Sequence, residues 1–155
     1  MIQLSNENFR IEIADQQARH LAVEPLVQAV TLILDDYGYR SAEISIALVD
    51  DPSIRQLNRE YLQHDYETDV LSFLLNTADD YLAGQLIVST DTAYRIAAEL
   101  QIDPADELLL YVVHGTLHLV GLDDTCEESA IEMRAAEKFY LNRLGVRYHW
   151  EESDR

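Results

Sequence analysis

The stretch from Pro104 to Val120 constrains this chain more than any other. Leu108 to Val113 is apolar nearly all the way round a helical wheel, and a helix without a polar face has to be buried on every side. Asp103-Pro104 marks its start, with a carboxylate to cap the first turn and a proline where a missing N–H is no loss. The pattern predicts a central helix from about Pro104 to Val120. Of the 155 residues, 48% are hydrophobic, enough for one core without disulfides. Cys126 stands alone and suits a reducing compartment.

Around that helix the chain alternates between two periodicities. Phe9–Ile13, Ile44–Leu48, Val70–Leu74 and Leu86–Ser89 read as strands, the last two paired across a polar loop that holds Asp79-Asp80 and Gly84. Leu26, Val30, Ile33, Leu34 and Tyr37 mark a helix that starts at Pro25 and stops at Gly38. Asp51-Pro52 opens another, with Asp51 as cap and Ile54, Leu57, Tyr61 and Leu62 as its apolar face. Residues 91–101 form a third, with Ala93, Ile96, Ala97 and Leu100 inward. Thr125-Cys126-Glu127-Glu128 reads as a capping box before a last helix, with Ile131, Ala135, Phe139 and Leu141 inward. The expected fold is α+β: one small, mostly four-stranded sheet packed with about five helices. Without repeats or linkers, residues 1–155 read as a single domain.

Charge narrows the partners. Twenty-nine acidic residues against eleven basic ones leave −18, with Lys138 the only lysine. Such a field repels nucleic acid at long range, so neither a DNA partner nor a general RNA coat is expected. No apolar run reaches membrane-spanning length and the first residues carry no secretory pattern, so a soluble, cytoplasmic protein without a membrane partner is expected.

The chemistry concentrates in His114-Gly115-Thr116-Leu117-His118-Leu119-Val120-Gly121-Leu122-Asp123-Asp124. Histidines at i and i+4 lie on one helix face and can converge on one ion. Gly121 can end the helix in a left-handed turn that brings Asp124 back as a third ligand. Two imidazoles in an apolar helix are costly to bury unpartnered, which favours metal over packing. The set His114, His118 and Asp124 leaves at least one coordination position open, as in catalytic rather than structural zinc sites. A zinc protease of the H-E-x-x-H type carries its base beside the first histidine; here Gly115 occupies that place, which argues against peptide hydrolysis.

These residues resemble the H-G-x-L-H-L-x-G-x-D signature of the YbeY family of bacterial rRNA-maturation factors. A second block agrees: Leu57-Asn58-x-x-Tyr61, Asp65 and Thr68-Asp69-Val70-Leu71-Ser72-Phe73 are similar to the family's L-N-x-x-Y-R-x-x-D-x-x-T-D-V-L-S-F. Gly84 to Ser89 resembles its G-D-I-x-I-S strand, and Met133 with Glu137 fits its final helix. The resemblance implies a metal-dependent single-strand endoribonuclease acting in 16S rRNA 3′-end maturation and ribosome quality control in the cytoplasm. It implies Zn2+ at His114, His118 and Asp124, and as partners rRNA and the small ribosomal subunit. The charge of −18 adds that subunit's basic proteins as a docking surface.

Three positions depart from the family pattern. Asp124 stands where histidine is common, which lowers the charge of the site and widens the range of metals it accepts. Leu62 stands where the family has arginine, a cation suited to a phosphodiester; Arg59, one turn earlier, or Arg55 is the candidate substitute. Gln85 replaces an aspartate. Asp69 is the candidate general base or histidine partner, and Glu107, two turns before His114, the candidate for orienting a ligand. Two competing functions stand beside the nuclease. One is a non-catalytic ribosome-assembly factor with a structural metal, which requires Asp123 as a fourth ligand. The other is a hydrolase of small esters or peptides.

Overall fold

A computed structural model describes residues 2–5, 8–16, 21–62 and 69–148. Five strands form one sheet: β1 (Ile2–Ser5), β2 (Phe9–Asp15), β3 (Ser41–Val49), β4 (Val70–Ala78) and β5 (Tyr81–Ser89), in the order β1-β2-β3-β5-β4. β2, β3 and β5 run parallel, while β1 and β4 lie antiparallel at the two edges. The helices are α1 (Glu24–Asp36), α2 (Asp51–Leu62), α3 (Thr90–Leu100), α4 (Pro104–Leu119) and α5 (Glu127–Arg143). The α+β class and the four expected strands are all present, and β1 adds an edge strand.

The parallel strands alternate side chains between two unequal layers. Ile11, Ile13, Ile44, Ile46, Leu82, Leu86 and Val88 face the main core, which α1, α4 and α5 complete. Val49, Leu71 and Ile87 face the opposite way, toward Ile54 of α2. α4 runs through the middle, packed against α1, α3, α5, β4 and β5. Its approach to the sheet is close because two glycines permit it. A Cβ on Gly115 would stand 2.9 Å from Leu86 Cδ2 and 3.0 Å from both Ser72 Oγ and Val70 Cγ2, and one on Gly84 would stand 2.9 Å from Leu119 Cδ1. The Ser72 hydroxyl then donates to the Gly115 carbonyl at 3.1 Å, tying α4 to the edge strand.

Several local expectations are corrected. The β4–β5 connection is a two-residue turn at Asp79-Asp80, with Asp79 at φ 53°, rather than a long loop. Residues 74–78 carry no apolar alternation because they are exposed on the edge, and a bulge at Leu75 shifts the register there. The cap of α2 is Asp50, whose carboxylate accepts from Ser53 N–H at 2.9 Å. That frees the Asp51 carboxylate to accept from the Ser89 and Thr92 hydroxyls at 2.6 and 2.7 Å and from Arg95. The cap of α5 is Cys126, in a reciprocal box with Ser129, one residue later than expected. Tyr61 and Leu62 on α2, and Ile131, Ala135 and Phe139 on α5, face outward. The inward positions are Ile54 and Asn58 on α2, and Met133, Glu137, Tyr140 and Leu141 on α5.

Candidate metal centre

From Glu107 to Leu119 every residue of α4 is buried except His114 and His118, which are half-buried. Among the described residues, this stretch of the helix therefore leaves only the i, i+4 pair partly open. Its end follows the expected signal. Gly121, at φ 108°, closes a Schellman turn in which Leu122 N–H donates to Leu117 O at 3.0 Å and Gly121 N–H to His118 O at 3.1 Å. Nothing lies within 4 Å of a Cβ built on Gly121, so the backbone conformation alone demands glycine.

That turn does two things for the site. It brings the Leu122 carbonyl to His118 Nδ1 at 3.0 Å, and it returns the chain so that Asp124 faces both histidines. A carbonyl only accepts, so Nδ1 carries the proton and the neutral His118 ring presents a lone pair at Nε2. His114 is held in the same way by α5: its Nδ1 donates to the Glu137 carboxylate at 2.5 Å. The two Nε2 atoms face each other 3.1 Å apart, and each lies 3.6 Å from an Asp124 carboxylate oxygen.

This donor set fits a divalent ion. Two lone pairs and a carboxylate converge with no hydrogen to share between the nitrogens of the neutral rings, an arrangement that a cation stabilises. A tetrahedral ion with bonds of about 2.0 Å separates its ligand atoms by about 3.3 Å, close to the spacing found here. His114, His118 and Asp124 are the one group of three or more potential ligands found together among the described residues. Asp123 is not in this group. Its carboxylate accepts from the Thr125 hydroxyl at 2.8 Å and from Asp124 N–H at 2.7 Å, bonds that hold it below the usual carboxylate range. The four-ligand shell that a structural metal requires is therefore not assembled from these residues.

Burial disfavours charge on His114, but the bond to Glu137 and the charges of Glu137, Asp69 and Asp124 outweigh it and raise its pKa. Asp69 lies where β4 begins, and its backbone carbonyl accepts from Ser89 N–H at 2.9 Å. It lines a cleft of about 210 Å³ with His114, Asp124, Arg134 and Glu137. A second depression approaches the histidines from the other flank, lined by Leu62, Val70, Leu74 and Leu119. Arg59 is exposed on α2 and lines a separate depression with Asp51, Arg55 and Gln56. Glu107 is fully buried and accepts from the Tyr148 hydroxyl at 2.5 Å, which ties the C-terminal segment to α4. Gly115 faces β4 and β5, so no side chain fits at the place where a zinc protease carries its base.

Glu137 and Arg134 are site residues that sequence reasoning left without a role. The available signal was spacing: Glu137 is a carboxylate at an inward position, i+4 from Met133 and i−4 from Leu141. His20, His64, His149 and Trp150 lie outside the described residues.

A family profile described as "Endoribonuclease YbeY" matches residues 3–145. The endoribonuclease YbeY of Syntrophotalea carbinolica is 40% identical over 136 residues, covering 83% of this chain and 91% of the relative. That of Carboxydothermus hydrogenoformans is 43% identical over 122 residues, covering 78% and 85%. That of Rhodopirellula baltica is 41% identical over 123 residues, 78% of this chain but only 63% of the longer relative. The solution structure of TM1509 from Thermotoga maritima shares the fold, with a TM-score of 0.61 over 94% of this chain and 99% of that one at 24% identity.

Proposed function

Because this chain belongs to the Endoribonuclease YbeY family, we propose that it is a metal-dependent endoribonuclease that cuts single-stranded RNA in 16S rRNA 3′-end maturation and ribosome quality control. The observation that carries the reading is the convergence of two histidine Nε2 atoms and one carboxylate, with Asp123 held elsewhere. Three protein ligands leave a position open for substrate, which a structural site does not. Zn2+ suits the mixed nitrogen and oxygen donors, while Asp124 in place of a third histidine opens the site to harder divalent ions as well.

Held there, a divalent ion supplies Lewis acidity toward a phosphoryl oxygen. The chain's own residues do the rest. Glu137 and the Leu122 carbonyl keep both imidazoles in the tautomer that points Nε2 into the cleft. Asp69, in the cleft wall, is the candidate to accept the proton of the attacking water. Arg59 stands one turn before Leu62, which lines the groove beside the histidines, and it takes the role of a phosphate contact farther along the strand. In this reading residues 1–155 act as one domain in the cytoplasm. Among the described residues no helix is long and apolar enough to cross a membrane. The small ribosomal subunit, with its basic proteins, is the proposed site of action.

The test is cleavage of a single-stranded RNA spanning a 16S rRNA 3′ end by zinc-loaded protein, beside His114→Ala and Asp124→Ala variants. We expect cleavage and about one zinc per chain in the parent, with both lost in each variant. A zinc-loaded parent that leaves this RNA intact, alone and within small subunits, overturns the reading.

A further inference from the structure

The metal cleft is acidic: Asp69, Asp124 and Glu137 all line it, in a chain that already carries −18. An RNA strand approaching it meets repulsion unless some cation offsets the field. Among the described residues, Arg134 is the one cationic side chain in that lining, and the groove on the other flank of the histidines has none. It stands one turn before Glu137 on α5, so the helix places it on the side of His114. Among the described residues its guanidinium makes no ion pair or hydrogen bond, whereas Arg143, farther along the same helix, is bonded to Asp36.

An arginine without an ion pair among the described residues, in a lining that holds three carboxylates, keeps its guanidinium available to an anion from outside. Resting on the nuclease reading above, we infer that Arg134 is the phosphate anchor of the metal cleft. Its planar fork takes the oxygens of one RNA phosphate and so seats the strand over His114, His118 and Asp124. The guanidinium suits this better than an ammonium, since it binds phosphate in a bidentate way and stays charged at any working pH. It is a positioning residue, and its contribution appears in binding rather than in bond cleavage.

The experiment is fluorescence anisotropy with a labelled single-stranded RNA oligonucleotide across a salt series, on the parent and on Arg134→Gln, Arg134→Lys and Arg147→Gln. Arg147 is exposed, also unpaired among the described residues, and absent from the cleft lining, so its variant controls for net charge. Zinc content and melting temperature accompany each. Arg134→Gln is expected to bind RNA about tenfold more weakly, the loss typical of one charged hydrogen-bonding pair. Its log–log salt slope should be shallower by about 0.7, the share of one phosphate on a single strand. Arg134→Lys keeps the slope and loses part of the affinity. In cleavage assays KM rises and kcat holds. Arg134→Gln binding as tightly as the parent, or no more weakly than Arg147→Gln, overturns the inference and leaves the nuclease reading intact. A parent that neither binds nor cuts RNA overturns both.

Discussion

His114 is held from three sides, and each hold comes from a different part of the chain. α4 supplies the ring, α5 supplies the Glu137 carboxylate on Nδ1, and the turn beyond Gly121 supplies Asp124 opposite Nε2. Glu137 fixes which nitrogen carries the proton and raises the basicity of the other. Replacing it by glutamine removes the charge while keeping the size, so Glu137→Gln is expected to weaken zinc binding roughly 10- to 100-fold. Competition against a chelator measures this, and an unchanged affinity would show that Glu137 only packs. The same geometry sets the response to acid. Protons compete for the Nε2 lone pairs, and the raised pKa of His114 in the metal-free protein lets them compete at higher pH than on an ordinary histidine. Zinc occupancy therefore falls as pH drops through and below that raised value, and elemental analysis of protein dialysed across pH follows it.

The helices differ in how well a simple wheel describes them. α4 is surrounded, so its apolar run needs no face to be chosen and is recognised at once. α5 carries apolar residues on two faces, and only one is covered: Met133, Tyr140 and Leu141 pack inward while Ile131 and Phe139 meet solvent. The guanidinium of Arg143 lies 5.4 Å from the Phe139 ring centroid, which gives that ring a cationic neighbour in place of a core. Stability should follow the observed face. Met133→Ala, at 2% exposure, is expected to cost about 2–5 kcal/mol by the transfer and cavity terms. Ile131→Ala, at 63% exposure, should stay within about 0.5 kcal/mol. Denaturant unfolding of both variants decides between the two faces, and equal losses would mean that α5 is rotated from the orientation described.

Across the whole molecule, the net charge and the proposed active centre pull in opposite directions. A charge of −18 repels a polyanion, while the cleft, on the function proposed above, has to receive one. The basic docking partner proposed above would resolve this, because complementary charge speeds encounter and orients it before the RNA strand is engaged. The protein is accordingly expected to bind small ribosomal subunits more tightly than protein-free 16S rRNA. Its affinity for the subunits should fall as salt rises from about 50 to 200 mM. Sedimentation or surface-based binding with both partners tests this, and equal affinity for the two would remove the docking argument.

That His114, His118 and Asp124 come together as a candidate metal site was legible without any structure. Spacing along one helix, a glycine at its end and a carboxylate three residues later are local facts, and local backbone geometry is determined by local sequence. The strands and helices were legible for the same reason, wherever one face is covered and the other is wet. What lay beyond the sequence is whatever depends on which surface meets which. The choice between Ile131 and Met133 as the buried position, the pairing of Glu137 with a histidine 23 residues away, and the solvent-facing tail of β4 are settled by contacts between distant segments. The same holds for Asp51, read as a cap and found instead tying α2 to Ser89 and Thr92. A side chain's neighbours along the chain specify its conformation, but its partners across the core specify its role.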